Sequence, residues 1–257
     1  MQMKHLYLLP LAALICACVG LNGDSSDETE ALEWGNASLC IEQPIAPGDS
    51  DCYQIDLKLD TLAGESELAQ QLASVLRDSV LNASGQQTIL ESMTAFANNM
   101  EAEWKKELAE LYDPESEYKD MFQYYYSIDG SPVEKEQEDS ILSYMVQTDC
   151  YLGGAHGSYV EMFYNFDKKS GKLFNIRDIV PAEKEMLVLK AMEEQLCEDW
   201  EVKNKEELQE QTGITMLGDL YLTNNFLLKN DSITFLFNQY EIAPYSAGLI
   251  SVTLARP

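Results

Sequence analysis

The chain has 257 residues, of which 46% are hydrophobic and 10% aromatic, enough to bury a core as one domain or as two packed domains. It carries 44 Asp and Glu against 17 Lys and Arg, a net charge of −27. Such a surface repels phosphate backbones and anionic headgroups, which argues against nucleic-acid binding and against membrane attachment through basic residues. The apolar content also excludes a disordered acidic chain.

The first residues predict an exported protein. Residues 6–19 (LYLLPLAALICACV) are apolar without interruption, shorter than the roughly 20 residues of a spanning helix and typical of a secretory signal. Residues 14–18 (LICAC) are similar to a bacterial lipobox, so residues 1–17 are predicted to be a lipoprotein signal peptide and Cys18 the lipidated residue. An ordinary cleaved signal with an incidental cysteine is the alternative. The predicted location is the bacterial envelope, lipid-anchored to the outer membrane, with periplasmic and surface-facing positions both open.

The next part of the chain predicts a tether, a strand and two helices. Residues 18–50 are predicted to be an acidic tether, because residues 22–33 (NGDSSDETEALE) are small, polar and acidic. Apolar residues at 53, 55, 57 and 59 then alternate with polar ones, the period of a half-buried strand. Apolar residues recur at helical spacing over 65–80 and over 89–111, and the second pattern stops before Asp113-Pro114.

The remaining elements predict an α+β fold, with one or more antiparallel sheets packed against two or three helices. Strand patterns cover residues 121–128, 141–152, 158–166, 226–228, 233–237 and 249–254, with turns at 129–132 and 169–172. Helices are predicted from Pro181 to about Trp200 and from Lys205 to Gln211, the latter capped by Gly213. In the run of three tyrosines at 124–126, Tyr125 is predicted to face the core and its neighbours the rim, and a stacking platform for sugar is the alternative.

The chemistry-bearing residues do not assemble a catalytic site. After signal removal one histidine remains, His156 in residues 153–157 (GGAHG), which excludes a zinc site built from two or three imidazoles. His156 and Ser158 share one side of an extended segment, but a hydrolytic pair also needs an orienting acid and an oxyanion hole. We therefore expect His156 to shape its loop by hydrogen bonding to backbone. No catalytic residue, metal ligand or cofactor is predicted, and the protein is expected not to be an enzyme.

Four cysteines remain beyond Cys18, at positions 40, 52, 150 and 197. An even number in an exported protein permits disulfides with three possible connectivities. Cys40 with Cys52 is the local pairing. Free buried thiols are the alternative.

Two stretches are similar to a known family. Residues 153–157 (GGAHG), 164–167 (YNFD), 169–173 (KSGKL) and 176–179 (IRDI) resemble the extracytoplasmic domain of RsiV-type anti-sigma factors. Residues 233–248 (ITFLFNQYEIAPYSAG) resemble the end of that domain. Residues 51–150 resemble, more loosely, the companion domain of PdaC-type peptidoglycan deacetylases. The resemblance divides the chain into a PdaC-like α+β domain at 51–150 and an RsiV-like α+β domain at 151–257, packed together.

The resemblance implies a non-catalytic envelope module that binds a lysozyme-like protein, another cationic protein or peptidoglycan fragments, with membrane contact only through the lipid anchor. A carboxylate-dependent enzyme acting on peptidoglycan or host glycan is the alternative. If the family's binding face is retained, residues 153–167 and 240–248 should lie close together in the fold. The candidate ligand-binding residues are His156, Tyr159, Tyr240, Glu241 and Tyr245.

Overall fold

The computed structural model describes residues 32–44, 52–111, 115, 124–134 and 140–256. The described residues belong to one compact unit that begins at Leu32. The predicted signal peptide, the lipidation site at Cys18 and residues 18–31 and 45–50 of the predicted tether lie outside the described residues. Within the described ranges, no helix combines the length and apolar character needed to cross a membrane.

A five-stranded mixed sheet forms the first part of the fold. Its order is β1-β2-β3-β4-β5, with strands at Trp34–Pro44, Cys52–Leu62, Tyr125–Pro132, Ile141–Tyr151 and Ser158–Asp167. All neighbours are antiparallel except β2 and β3, which pair in parallel. The parallel pair follows from the connection, because α1 (Glu67–Val75), a π-helical turn (Leu76–Val80) and α2 (Ile89–Leu111) carry the chain back across the sheet.

The second part of the fold is a three-stranded antiparallel sheet with helices. Its order is β6-β7-β8, with strands at Phe226–Leu228, Ser232–Phe237 and Ile250–Ala255. The helices are α3 (Ile176–Ile179), α4 (Glu185–Asp199) and α5 (Lys205–Thr212), with 3₁₀ turns at Ala182–Lys184 and Tyr245–Ala247. Gly213 ends α5 with a φ of 76°, as its sequence position predicts. The predicted α+β class is confirmed.

Each sheet has its own hydrophobic core. In the first, Tyr53, Ile55, Leu57 and Leu59 of β2 are at most 2% exposed and pack with α1 and α2, which confirms the alternation predicted for this strand. In the second core, α4 and α5 pack with β6, β7 and β8. The apolar spacing in the sequence predicts a buried stripe on α4 at Met186, Leu189, Met192, Leu196 and Trp200. This prediction is wrong at Met186 and Trp200, which are exposed, because the stripe passes through Val188, Met192 and Leu196.

Buried asparagine side chains join the two sheets. The amide of Asn165 in β5 donates to the Phe226 carbonyl oxygen (2.6 Å) and accepts from the Leu228 N–H (2.9 Å). Asn225 accepts from the Phe163 N–H and donates to the Glu161 carbonyl oxygen, and Asn238 pairs with both backbone groups of Glu161. The amides of Asn225 and Asn238 hydrogen bond to the outer edge of β5 as a neighbouring strand would, which closes this part of the edge to further pairing.

The prediction of a tether over residues 18–50 is wrong for residues 34–44, which form β1. This strand pairs with β2 at eleven successive positions, from Trp34 opposite Leu62 to Pro44 opposite Cys52. Ala37, Leu39 and Ile41 pack against the first core. Their alternation is the period of a strand, and it follows directly on the acidic stretch that predicted the tether.

The register of β1 and β2 also rules out the predicted Cys40–Cys52 disulfide. Cys40 pairs with Asp56, whereas Cys52 pairs with Pro44, four residues further along β1. Four residues of strand span about 13 Å, and disulfide-linked Cα atoms lie within about 7 Å of each other. Cys40 is a free thiol, and so are Cys150 and Cys197.

Two further boundaries differ from the sequence prediction. Residues 129–132 were expected to turn, but β3 continues to Pro132, opposite Tyr144. Gly130 allows this, because a Cβ there would lie 2.7 Å from the Tyr144 hydroxyl oxygen. The predicted junction between domains at residues 150 and 151 falls inside the β4–β5 hairpin, so the first sheet extends to Asp167.

Candidate functional site

The glycine corner between β4 and β5 presents His156 to solvent. Gly153 and Gly154 have φ values of 86° and 101°, a region that other residues rarely adopt. The Tyr151 hydroxyl donates to the Gly154 carbonyl oxygen at 2.8 Å and closes the corner. Gly157 follows in close contact with β4, since a Cβ there would lie 2.8 Å from the Cys150 carbonyl oxygen.

His156 forms a cluster with two tyrosines of the segment that precedes β8. Its ring stacks on Tyr245 with centroids 3.8 Å apart and an interplanar angle of 21°. Its Nε2 lies 3.1 Å from the Tyr240 hydroxyl oxygen, and its Nδ1 lies 2.9 Å from the Gly157 carbonyl oxygen. Because a carbonyl only accepts, Nδ1 donates to it, and in the neutral imidazole Nε2 then accepts from Tyr240. We call these three residues the tyrosine–histidine cluster.

The cluster confirms two expectations drawn from the sequence. Residues 153–167 and 240–248 lie together, since His156 contacts both Tyr240 and Tyr245. His156 also hydrogen bonds to backbone, as expected for a residue that shapes its loop.

Tyr240 has an uncommon backbone conformation for an aromatic residue. Its φ is 67°, in the left-handed region, while its side chain is 55% exposed. The turn around it is held by the Glu241 N–H, which donates to the Asn238 carbonyl oxygen at 3.1 Å. A bulky residue in this region carries a strain of about 1–3 kcal/mol and is found where the surrounding structure enforces it, often at functional sites.

The other two candidate residues lie beside the cluster and have partners of their own. Tyr159 donates its hydroxyl to Glu161, and burial together with this hydrogen bond raises the pKa of Tyr159 to about 12. Glu241 accepts from the Tyr221 hydroxyl at 2.7 Å. Tyr159 and Glu241 therefore flank the cluster without joining its ring contacts.

Tyr125 is a surface residue, which its sequence pattern did not predict. It is exposed, its hydroxyl donates to Asp149 at 2.9 Å, and its ring stacks on Tyr151 with centroids 6.5 Å apart. The prediction that Tyr125 faces the core is wrong, because Tyr124 and the buried Ile128 occupy the inward positions of this alternating segment. The apolar Ile128, an even number of residues from Tyr124 and an odd number from Tyr125, was the sequence signal that could have fixed the orientation.

No group of three or more His, Cys, Asp or Glu side chains within the described ranges is placed to hold a metal ion. Where a carboxyl group in the described ranges has a shifted pKa, the pKa is lowered. Hydrogen bonds from backbone, hydroxyl or lysine donors at caps, turns and ion pairs cause the shifts, and these groups lie outside the cluster: Glu91, Asp167, Asp178, Glu207 and Asp219.

Two family models match the chain. Residues 47–159 match the model described as deacetylase PdaC, and residues 176–256 match DUF3298, a protein family of unknown function. No curated protein matches the chain. The fold resembles a crystal structure of a DUF3298 family member from Bacteroides fragilis, with a TM-score of 0.77 and 22% identity over 88% of this chain and 90% of that one. It also resembles a DUF3298 family protein from Pseudomonas aeruginosa, with a TM-score of 0.58 and 15% identity over 89% and 91% of the two chains. The chain thus combines a PdaC-like segment with a DUF3298 segment, in a fold also seen in DUF3298 proteins.

Proposed function

We propose that this protein is a non-catalytic binding protein of the bacterial cell envelope, and that the tyrosine–histidine cluster contacts a lysozyme-like cationic protein. The observation that carries the proposal is the stacking of His156 on Tyr245 beside the exposed Tyr240. Aromatic residues held rigidly at a surface are the usual anchors of protein interfaces.

The charge of the chain supports a cationic partner. A net charge of −27 steers a basic protein toward the surface and raises its association rate. Carboxylates of Asp149, Glu161 and Glu241 lie next to the aromatic residues, where they hydrogen bond to tyrosine hydroxyls. The resemblance to RsiV-type domains, modules that bind lysozyme, supports the choice of partner.

Binding kinetics with lysozyme test the proposal. We expect the purified chain to bind lysozyme at micromolar concentration or better in low salt. Association should slow from 50 to 150 mM NaCl, because screening shortens the range of electrostatic steering to about 8–10 Å. Tyr245→Ala should instead speed dissociation at least tenfold, since a contact residue acts on the bound state. Trp200→Ala, an exposed aromatic at the end of α4, is the matched control and should leave both rates unchanged. Absence of binding by the wild-type chain would overturn the proposal.

The non-catalytic part of the proposal has its own test. His156→Ala should lower the free energy of unfolding modestly and abolish no hydrolysis of peptidoglycan or glycan substrates. A measurable hydrolysis that disappears in His156→Ala, at an unchanged melting temperature, would establish the alternative of an enzyme.

The envelope location is also part of the proposal and depends on Cys18. Cys18→Ser should leave an unprocessed precursor and abolish labelling by a palmitate analogue. Unchanged labelling would refute lipidation at this position.

A further inference from the structure

A strained turn follows α5, over residues 213–218, and we call it the Thr215 turn. Thr215 has a φ of 64°, a conformation that is strained for a β-branched residue. Gly218, at the end of the turn, packs so closely on the segment before β8 that a Cβ would lie 3.3 Å from the Glu241 carbonyl oxygen.

The side chain of Thr215 is buried and its hydroxyl forms no hydrogen bond within the described ranges. The residue is 6% exposed, and its Oγ1 has no hydrogen-bond partner in the described part of the chain. Its carbonyl oxygen accepts from the Gln209 amide at 2.8 Å, which holds the turn against α5. Buried polar groups are nearly always satisfied in folded proteins, so an exception combined with backbone strain indicates a conformation kept for another reason.

The Thr215 turn holds two apolar side chains in solvent. Met216 is 64% exposed and Leu217 is 52% exposed. The Leu217 N–H donates to the Ile242 carbonyl oxygen at 3.2 Å, which ties the turn to the segment that carries Tyr240. Tyr221, also exposed, donates its hydroxyl to Glu241 in the same segment. These two hydrogen bonds hold the turn beside the segment that carries Tyr240.

We propose that the Thr215 turn is the apolar half of the partner-binding surface. Its occupant is a protein surface that combines an apolar patch with flanking lysine or arginine side chains. The Glu241 carboxylate borders the turn and complements such cations, as does the net charge of −27, whereas Asp219 is already paired with Lys205 at 2.6 Å. Exposed apolar patches rimmed by polar residues mark interaction sites in soluble proteins. Met216 and Leu217 differ from other exposed apolar residues because a strained turn holds them beside the segment of Tyr240. This inference rests on the function proposed above and adds a second contact region to it.

The chain contains a matched control for the test. Met186 and Leu187 form a second adjacent pair, 77% and 67% exposed, in the first turn of α4. We expect M216S/L217S to weaken binding of lysozyme at least tenfold, mainly through faster dissociation. M186S/L187S should change the affinity less than twofold. Both double variants should keep the wild-type melting temperature, because all four side chains are exposed.

Thr215→Gly tests the strain separately. Glycine adopts a positive φ without steric strain and removes the unpartnered hydroxyl, which should outweigh its larger entropy loss on folding, so the melting temperature should rise. Equal effects of M216S/L217S and M186S/L187S would overturn the inference. If Tyr245→Ala weakens binding and M216S/L217S does not, only the second contact region fails. If the wild-type chain does not bind lysozyme, both proposals fail.

Discussion

The buried amides of Asn225 and Asn238 share one acceptor, and this predicts a measurable coupling between them. Both amides donate to the Glu161 carbonyl oxygen, at 2.7 and 3.1 Å. Asn225 also accepts from the Phe163 N–H, and Asn238 from the Glu161 N–H, each at 2.9 Å. Either single substitution to alanine removes one backbone N–H partner, while the shared carbonyl keeps a donor.

The magnitudes follow from the cost of an unsatisfied buried group, about 1–3 kcal/mol. Asn225→Ala and Asn238→Ala should each lower the free energy of unfolding by about that amount, because each orphans one N–H. The double variant loses both N–H partners and also leaves the Glu161 carbonyl without either amide. We therefore expect it to be less stable than the sum of the single effects by roughly 1 kcal/mol or more.

Urea unfolding of the wild type, both single variants and the double variant gives the four free energies of this cycle. The slopes of the transitions should agree, so that the midpoints report stability alone. Asn36→Ala, at an exposed hydrogen bond to Asp60, is the control and should change stability by less than about 0.5 kcal/mol. If the two single losses of stability add up to the loss in the double variant within about 0.3–0.5 kcal/mol, the inference that the two amides share one acceptor is refuted.

Three further predictions concern other parts of the structure. Gly154→Val should lower the free energy of unfolding by about 1–3 kcal/mol through its positive φ alone, since nothing lies within 4 Å of an added Cβ. Ala155→Val is the control. Equal melting temperatures of the two variants would contradict backbone strain at Gly154. Cys40 should be alkylated without prior reduction, because it is a free thiol. The alkylation rate should increase as the pH approaches 9 and above, because burial and Asp56 raise the pKa of Cys40. Protection of Cys40 until a reductant is added would contradict the β1–β2 register. Burial and the Glu241 hydrogen bond raise the pKa of Tyr221 to about 12, above its ordinary value of 10, so its contribution to stability should be complete below pH 10 and lost as the pH rises to 12. Ultraviolet titration should show one fewer late-ionising tyrosine in Tyr221→Phe, and an unchanged profile would refute this assignment.

The sequence predicted the elements whose own periodicity is clear. The alternation from Tyr53 to Leu59 and the helical spacing over 89–111 correspond to β2 and α2. β1 was missed because the acidic composition before Trp34 outweighed a weaker alternation. The parallel pairing of β2 with β3 could not be derived from either strand alone, because pairing depends on how the intervening helices cross the sheet.

For the candidate site, the proximity of the two tyrosine-rich segments was predictable through the family resemblance, and the contacts were not. The stacking of His156 on Tyr245 joins residues 89 positions apart in the chain, and no local pattern encodes it. Tyr125 was assigned to the wrong face, since three consecutive tyrosines give no polar–apolar alternation. The amide contacts of Asn225 and Asn238 were likewise beyond sequence reasoning, because they depend on tertiary placement.

The parallel pairing of β2 with β3 has a consequence for how the chain folds. β1 and β2 form a local hairpin with eleven paired positions. The other edge of β2 pairs with β3, which begins at Tyr125, after α1 and α2 in the chain. During synthesis this edge is therefore uncovered, and the apolar side chains of Ile55 and Leu57 are exposed with it until the helices dock. We expect this non-local closure to limit the folding rate and the exposed hairpin to be where misassembly begins.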